Sequence, residues 1–256
     1  MKNIEEKLLK SRPSVSIIIL SLNEAGNIRQ AIELVTESVI KQNLTDYEII
    51  AVDGGSTDGT REIIKELVLK NNHIKAVYNY GKRGLGHDFK SGLVHASKEY
   101  VGWFPGDNET LVETIVAIFE QIGKADIIIP HTVNPQVRSL YRRLLSTAYT
   151  SIFNSIFGLR LKYFNGPCFF KRDLLKTITM TTGGPAYMAE ILIQLIKGGA
   201  SYSEIPMKIK VRDYGKTSVL KWKNVYLIAQ TIIRLFFRLH FSRNKPLMPK
   251  GGINVG

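Results

Sequence analysis

Short apolar runs alternate with amphipathic stretches through the first half of the chain. Runs rich in β-branched residues predict strands over residues 15–20, 47–52, 74–78, 100–104 and 126–130. Between them, apolar residues recur every three or four positions, which predicts helices near residues 28–39, 63–68, 85–96 and 110–122. Strands that alternate with helices predict an α/β fold whose central sheet is mostly parallel, with helices on both faces.

Polar segments that carry acids follow three of the predicted strands. Residues 21–24 follow the first strand, residues 53–59 the second and residues 105–109 the fourth. Ligands of parallel sheets bind beyond the carboxyl ends of the strands. We therefore expect one binding site at this edge, although each loop taken alone is explained equally well by turn chemistry.

Two amphipathic helices are predicted in the second half of the chain. One covers residues 138–157, with Arg138 and Arg142 in its first turn, and it fits packing on the sheet as well as a lipid interface. The other covers residues 225–240, and its uncharged run falls short of the roughly 20 apolar residues that a membrane span needs. It fits a position in the interface, with nearby cations at the lipid head groups: Lys221, Lys223, Arg234, Arg238 and Arg243.

The charge distribution adds a partner class to this picture. The chain has 35 Lys and Arg against 22 Asp and Glu, a formal net charge of +13. Residues 205–256 hold 11 basic residues and one acid, and residues 138–172 hold seven basic residues and no acid. This basic half predicts an anionic partner, which is nucleic acid, a phospholipid surface or a phosphorylated substrate.

The motifs that are missing exclude several function classes. The sequence has no GxxxxGK[ST] phosphate loop, no GxSxG nucleophile motif and no histidine pair at metal-binding spacing. Nucleic acid is disfavoured, because the basic segments lie on apolar amphipathic helices and no aromatic RNA-binding signature occurs. The lone Cys168 cannot form an internal disulfide, and no apolar stretch follows the first ten residues, so we expect a cytoplasmic protein without a signal peptide.

An ordered set of motifs gives a more specific indication. The set is Asn23-Glu24 after the first strand, Asp-Gly-Gly-Ser-Thr-Asp-Gly-Thr at residues 53–60, Gly84-Leu85-Gly86, Gly106-Asp107, Asn165-Gly166-Pro167, Glu204-Ile205-Pro206 and Arg212…Gly215-Lys216…Ser218. In this order it resembles the family 2 glycosyltransferases of the GT-A fold, and among them the dolichyl-phosphate mannosyltransferase-like branch, the polyprenyl-phosphate glycosyltransferases. The resemblance implies a nucleotide-diphospho-sugar transferase fold with an added C-terminal amphipathic helix.

For the donor side, the resemblance implies a nucleotide-sugar site in the three loops. The implied nucleotide-binding residues are Ser21, Asn23, Glu24, Asp53, Gly55, Ser56, Lys82 and Asp107. Asp53 would accept a hydrogen bond from a base N–H, the alternative being that it caps its own turn. Asp107, also implied as catalytic, would hold Mg²⁺ or Mn²⁺ with Glu109 as a second metal ligand, and this ion would neutralise the departing diphosphate.

Four positions depart from the family pattern. Leu20 and Leu22 stand where a Pro and a Tyr are usual, and Gly54 replaces a frequent second Asp. Pro105 replaces the first Asp of the metal-binding Asp-x-Asp motif. These departures leave open whether the protein depends on a metal and whether it is catalytically active.

Two kinds of acceptor fit the sequence. A sugar hydroxyl needs a general base, and Glu190, in a helix predicted over residues 186–195, is the carboxylate that the resemblance implies for that catalytic role. A polyprenyl phosphate needs no base, because a phosphomonoester is mostly dianionic at neutral pH. Its phosphate would be bound by four cations: Arg138, Arg142, Arg212 and Lys216.

We therefore predict a hexosyltransferase, peripheral on the inner, cytoplasmic face of the membrane, that moves a sugar from a nucleotide-diphosphate donor to polyprenyl phosphate. Residues 12–220 are the predicted GT-A domain, with a nucleotide-sugar-binding part (12–130) and an acceptor-binding part (131–220), and residues 221–256 are a basic membrane-interface helix and tail. The alternatives are a family 2 transferase acting on a surface polysaccharide or other sugar acceptor, and an inactive lipid- and nucleotide-binding scaffold. A homo-oligomer stays open.

Overall fold

Seven strands form one central sheet in the computed structural model, which describes residues 12–210 and 222–241. They are β1 (Val15–Ser21), β2 (Tyr47–Asp53), β3 (Ile74–Tyr78), β4 (Tyr100–Pro105), β5 (Ile127–Thr132), β6 (Phe169–Lys171) and β7 (Tyr202–Met207). Their order across the sheet is β3-β2-β1-β4-β6-β5-β7. The first five are the strands that the sequence predicts, whereas β6 and β7 were not predicted.

The described residues also form helices that connect the strands. They are α1 (Ile28–Lys41), α2 (Thr60–Lys70), α3 (Leu85–Val94), α4 (Val112–Gln121), α5 (Leu140–Phe157), α6 (Arg172–Leu175), α7 (Tyr187–Lys197) and α8 (Trp222–Phe241). A 3₁₀ turn, Pro135–Val137, precedes α5. The side chain of Ser139 caps α5 by accepting from Arg142 N, so Arg138 lies before this helix and not in its first turn as predicted.

The sheet is mostly parallel, as predicted. β1 lies between β2 and β4 and is parallel to both, β2 is parallel to β3, and β5 is parallel to β7. The three-residue β6 is antiparallel to β4 and to β5, and it joins the two parallel groups. Because β6 is so short, its pairing has no periodic signal in the sequence.

Helices cover both faces of the sheet and form a core on each. Successive residues of a strand point to opposite faces. Ile17 and Ile19 of β1 therefore belong to a core that includes α1, α2 and α4, whereas Ile18 and Leu20 belong to one that includes α3, α5, α7 and α8. Burial on both faces explains why the strands are continuous apolar runs and not alternating ones.

The C-terminal helix α8 packs on the second of these cores. Leu235 is 1% exposed, and Ile228, Ile232 and Phe236 are partly buried against the same cluster. The remaining surface of α8 carries exposed large apolar side chains: Val225, Tyr226, Ile233 and Phe237. In the described part of the chain, no helix combines the length and the apolar character that crossing a membrane requires.

The central sheet spans both predicted parts of the GT-A domain, residues 12–130 and 131–220. β5 runs across the predicted boundary at residue 130, and β6 and β7 lie in the same sheet as β1 to β4. The two predicted parts thus share one sheet, in which β5 lies between β6 and β7. Their functional separation stays a prediction, and the tail beyond residue 241 lies outside the described residues.

Glu48, near the amino end of β2, is a buried carboxylate that connects three strands. It accepts hydrogen bonds from Ser16 Oγ (2.6 Å), from Lys75 Nζ (2.6 Å) and from Ser97 N (2.7 Å). Burial alone would raise the pKa of Glu48, but the hydrogen bonds from Lys75, Ser16 and Ser97 lower this pKa to about 2.

We expect Glu48→Gln to lower the free energy of unfolding at pH 7 by about 1–3 kcal/mol. Because folding lowers the pKa of Glu48, its stabilisation is present above the ordinary value of 4.5 and is lost as the pH falls towards 2. Urea unfolding should therefore show a smaller difference in the free energy of unfolding between Glu48→Gln and the unsubstituted protein at pH 3 than at pH 7. As a control, Glu66→Gln removes only surface ion pairs and should change little. An equal difference at both pH values would contradict this role for Glu48.

Candidate functional site

The carboxyl ends of β1, β2 and β4 meet at one edge of the sheet. Ser21 pairs with Asp53 in the parallel register, and Gly54 N donates to Ser21 O at 2.8 Å. On the other side of β1, Gly106 N donates to Leu20 O at 2.8 Å. The structure thus brings the three acid-bearing loops together.

The loop after β1 and the loop after β2 hold each other in place. Asn23 N donates to Ser56 Oγ (2.8 Å), and Thr57 N donates back to Asn23 Oδ1 (2.9 Å). Glu24 N donates to Thr60 Oγ1 (2.8 Å) at the start of α2. Asn23, Glu24 and Ser56, which the sequence assigns to nucleotide binding, therefore also build the loops on which a nucleotide would lie.

Asp53 is completely buried, and both of its carboxylate oxygens have protein donors. Oδ1 accepts from Ser56 N (3.0 Å), while Oδ2 accepts from Arg61 Nε (3.0 Å) and Nη2 (2.7 Å). The guanidinium of Arg61 lies over the rings of Tyr78 and Tyr80, 5.1 and 5.5 Å from their centroids. Asp53 therefore caps its own turn, which was the alternative to base recognition, and Arg61 is a site residue that the sequence did not indicate.

The loop that carries Lys82 contacts the loop after β2. Gly55 has a φ of 92°, and a Cβ there would lie 3.1 Å from Gly81 N. This close approach places the next residues, Lys82 and Arg83, beside the Asp53 loop, where both are exposed. The exposed Lys82 therefore lies close enough to this edge of the sheet to contact an anionic ligand bound there.

Asp88, in the first turn of α3, is a second buried carboxylate at this edge that sequence reasoning missed. Its Oδ1 accepts from Asn79 Nδ2 (2.7 Å), and a Cβ at position 54 would lie 2.7 Å from its Oδ2. A side chain at position 54 would therefore require Asp88 to shift. Burial raises the pKa of Asp88, and the hydrogen bond from Asn79 partly offsets this effect. The sequence signal that could have indicated Asp88 is its position two residues after the motif Gly84-Leu85-Gly86.

The predicted metal ligands lie in the loop after β4. Asp107 is 9% exposed, and its Oδ1 accepts from Glu109 N (3.1 Å), while Asn108 between them has a φ of 58°. Among the described residues, no three His, Cys, Asp or Glu side chains group as a metal site. Two carboxylates are nevertheless a suitable set for Mg²⁺ or Mn²⁺ that also binds substrate phosphates, because Mg²⁺ usually keeps few protein ligands.

Glu190 in α7 does not fit the general-base role that the sequence predicts for it. It is 2% exposed, and its Oε2 accepts from Thr181 N (2.9 Å) and Thr182 N (3.0 Å). Its Oε1 accepts from Thr181 Oγ1 and lies 3.7 Å from Arg238 Nη1. A general base must reach the proton that it removes, whereas this carboxylate holds the turn before α7.

A basic cavity of about 350 Å³ lies beside the start of α5. Its charged lining residues are all cations: Arg138, Arg142, Arg143 and Lys162. Arg138 Nη1 donates to Tyr163 OH (3.1 Å), whereas Arg138 Nε and Thr132 Oγ1 are buried and have no hydrogen-bond partner within the described part of the chain. The structure thus brings together Arg138 and Arg142, while the other two predicted phosphate ligands, Arg212 and Lys216, lie outside the described residues.

Comparison with known proteins gives the family. The model of the family described as Glycosyl transferase family 2 matches residues 16–182, about two thirds of the chain. The chain belongs to this family. The matched residues run from β1 through the turn that Glu190 holds, and they include all three loops of the sheet edge. The more specific polyprenyl-phosphate branch stays a prediction.

Two curated relatives illustrate the similarity. Over 112 residues the chain is 32% identical to the cholesterol galactosyltransferase of Borreliella burgdorferi, which covers 44% of this chain and 30% of that protein. Over 113 residues it is 28% identical to the GalNAc(5)-diNAcBac-PP-undecaprenol beta-1,3-glucosyltransferase of Campylobacter jejuni, covering 44% and 35%. The chain thus matches about a third of the length of these relatives.

Solved structures confirm the fold. The chain is similar to glucosyl-3-phosphoglycerate synthase of Mycobacterium tuberculosis, solved with Mn²⁺ and UDP-glucose, with a TM-score of 0.60 and 17% identity over 91% of this chain and 81% of that one. The same protein solved with Mg²⁺ and UDP gives a TM-score of 0.61 and 16% identity over the same shares. The expected GT-A fold is confirmed.

We expect Asp53→Asn to weaken nucleotide binding and to lower stability together. The amide cannot form the ion pair with Arg61, and losing this internal charge-assisted hydrogen bond lowers the free energy of unfolding by about 1.5–3 kcal/mol. The loosened loop should then bind a nucleotide more weakly. Calorimetric titration with UDP, GDP and dTDP, together with thermal unfolding, measures both effects. Asp173→Asn, which breaks an exposed pair with Lys176, is the control. Unchanged affinity for every nucleotide that the native protein binds would exclude this loop from the donor site.

Proposed function

We propose that this glycosyltransferase moves a sugar from a nucleotide-diphosphate donor to the phosphate of a polyprenyl phosphate at the inner face of the membrane. The observation that carries the acceptor assignment is the cavity beside α5, whose charged lining residues are all cations. Arginine binds phosphate oxygens through paired N–H donors, whereas a neutral sugar has no negative charge to pair with a guanidinium. The buried Arg138 Nε without a partner supports a ligand that brings an acceptor atom there.

The donor would lie across the sheet edge formed by the loops after β1, β2 and β4. Asp53, fixed by Arg61, shapes the loop beneath the nucleotide, and the exposed Lys82 supplies positive charge for the diphosphate. Asp107 and Glu109 would hold Mg²⁺ or Mn²⁺, which neutralises charge on the departing diphosphate. The structurally similar synthase was solved with Mg²⁺ and UDP, which supports a nucleotide-linked donor.

In the proposed reaction, an acceptor phosphate oxygen forms a bond to the anomeric carbon of the sugar. The bond from this carbon to the diphosphate oxygen breaks, and the nucleoside diphosphate leaves with the electron pair. With a second pKa near 6, the acceptor phosphate is mostly dianionic at neutral pH and has no proton to lose. A general base is therefore unnecessary, which agrees with the engagement of Glu190 by the backbone of Thr181 and Thr182.

Two helices in contact supply a surface suited to the membrane. Exposed large apolar side chains on α5 are Leu140, Tyr141, Leu144, Leu145, Ile152 and Ile156, and those on α8 are Val225, Tyr226, Ile233 and Phe237. Contiguous apolar patches flanked by cations are typical of proteins that bind anionic lipid surfaces. The names of relatives that act on cholesterol or on an undecaprenol-linked saccharide support a lipid acceptor.

The proposal is tested by incubating the full chain with polyprenyl phosphate, a panel of UDP-, GDP- and dTDP-sugars, and Mg²⁺ or Mn²⁺. We expect a polyprenyl phosphosugar of the corresponding mass, and no product when the lipid is a polyprenol without phosphate. Asp107→Asn should lower turnover by at least a hundredfold with little change in thermal stability, because the transition state loses several kcal/mol of charge neutralisation. Glu109→Gln should show a smaller defect.

Other outcomes of this assay would contradict particular parts of the proposal. Transfer to a saccharide acceptor but not to polyprenyl phosphate would favour a family 2 polysaccharide transferase. Nucleotide-sugar binding with no transfer to any acceptor would favour the inactive scaffold. Full turnover in excess EDTA would exclude the metal assignment to Asp107.

For the membrane surface, we expect the double variant Leu144→Ser, Phe237→Ser to bind vesicles of phosphatidylglycerol and phosphatidylcholine at least tenfold more weakly. These side chains are 61% and 57% exposed, and burying an apolar side chain contributes about 1.5–3 kcal/mol. A matched control, Leu69→Ser with Val94→Ser, removes side chains 86% and 82% exposed on α2 and α3. Co-sedimentation should separate the two double variants, and equal binding by both would place the lipid contact elsewhere.

A further inference from the structure

Arg238, on the helix α8, points into the protein and not towards the lipid head groups as predicted from the sequence. Its Nη1 donates to Thr179 O (2.9 Å) and lies 3.5 Å from Gln194 Oε1 and 3.7 Å from Glu190 Oε1. Gln194 Nε2 donates to the same Thr179 O at 3.0 Å. One cation of the C-terminal helix therefore connects α7 with the segment that precedes it.

The preceding segment, residues 179–184, forms a turn held from two sides. Glu190 accepts from Thr181 N (2.9 Å) and Thr182 N (3.0 Å) on the α7 side. On the α8 side, a Cβ at position 184 would lie 3.3 Å from Leu227 Cδ1, so Leu227 packs directly on Gly184. Both Arg238 and Leu227 thus attach this turn to α8.

The same turn supports the start of α3. Gly86 N donates to Gly183 O (3.1 Å), and a Cβ at Gly84 would lie 2.7 Å from that oxygen. At position 86, a Cβ would lie 2.9 Å from Thr182 O. A side chain at position 84 or 86 would clash with the backbone of the turn, so the two segments are in direct backbone contact. We therefore expect a shift of the turn to move the start of α3.

The start of α3 in turn contacts the loop after β2. A Cβ at Gly54 would lie 2.7 Å from Asp88 Oδ2, so these residues are in close contact, and Asp88 Oδ1 accepts from Asn79 Nδ2 (2.7 Å). Asn79 also accepts from Arg61 Nη2 (3.1 Å) through its backbone oxygen, and Arg61 binds Asp53. A continuous series of contacts therefore runs from Arg238 to the Asp53 loop.

We infer that Arg238 is a positioning residue of the donor site, acting through the turn at residues 179–184 and the start of α3. The C-terminal helix then serves two purposes, because its exposed side carries the apolar surface and its buried side completes the wall of the nucleotide site. This inference rests on the proposed function for the location of the donor. It also means that lipid contact with α8 and nucleotide binding act on the same element, so that any effect of one on the other is reciprocal.

The test compares Arg238→Gln with Arg172→Gln in the full chain. Arg172 is a matched control, because its guanidinium also donates to a backbone oxygen, Ala96 O (3.0 Å), but next to the amino end of β4. Arg238→Lys, which keeps a charged donor, tests rescue. Amide hydrogen exchange without nucleotide follows the amides of Thr181, Thr182 and Gly86, and calorimetry measures the affinity for UDP and GDP.

We expect Arg238→Gln to increase exchange at these amides and to weaken binding of whichever nucleotide the native chain binds by at least fivefold. Arg172→Gln should leave both unchanged, and Arg238→Lys should recover most of the affinity. Native affinity in Arg238→Gln would overturn the inference, as would an equal loss in Arg172→Gln.

Two further readouts separate this inference from the proposed function. If the native chain binds none of the nucleotides, the donor assignment fails, while unchanged exchange at Gly86 in Arg238→Gln would still overturn the positioning role. If Arg238→Gln does not fold, Leu227→Ala removes the second attachment of the turn and should give the same exchange at Gly86 and the same weakening of nucleotide binding. Native values in Leu227→Ala would then contradict the inference.

Discussion

The parallel pairing of β1 with both β2 and β4 is the constraint on which the site depends. It aligns the three strands so that Ser21 lies opposite Asp53 and Leu20 opposite Pro105. Because parallel strands end at the same edge, their following loops must share that edge, whatever the loops contain. The apolar cores on both faces fix this register, since a shift of one residue would exchange the two faces.

Buried carboxylates then convert this edge into a defined shape. Asp53 holds its own loop and Arg61, Asp88 fills the space that Gly54 leaves, and Glu190 holds the turn that supports α3. Each has donors within the protein, as a buried charge requires. In the proposed function, these residues set the geometry of the nucleotide site, while Lys82 and Asp107 contact the diphosphate and the metal.

The region proposed for the acceptor, beside α5 and α8, is basic and apolar, in contrast to the acidic sheet edge. Among the residues that the structure describes, the cavity beside α5 is lined by cations and by no carboxylate, and the neighbouring surfaces of α5 and α8 have exposed apolar side chains. An anionic head attached to a long apolar chain matches both features at once. Because α8 packs against α7, the surface proposed for the lipid and the edge proposed for the nucleotide belong to one packed structure.

The sequence by itself determined the α/β class, the first five strands and the convergence of three polar loops, because strand and helix periodicities are local and parallel topology follows from their alternation. It also indicated the family through motifs of contiguous residues. Only the tertiary structure decided that Arg61 binds Asp53, that Asp88 adjoins Gly54, and that Glu190 and Arg238 hold one turn. These partners are separated by eight to 48 positions along the chain and have no common period, so packing alone brings them together. The same reason explains the unpredicted β6, whose three residues gain their place only from strands on either side.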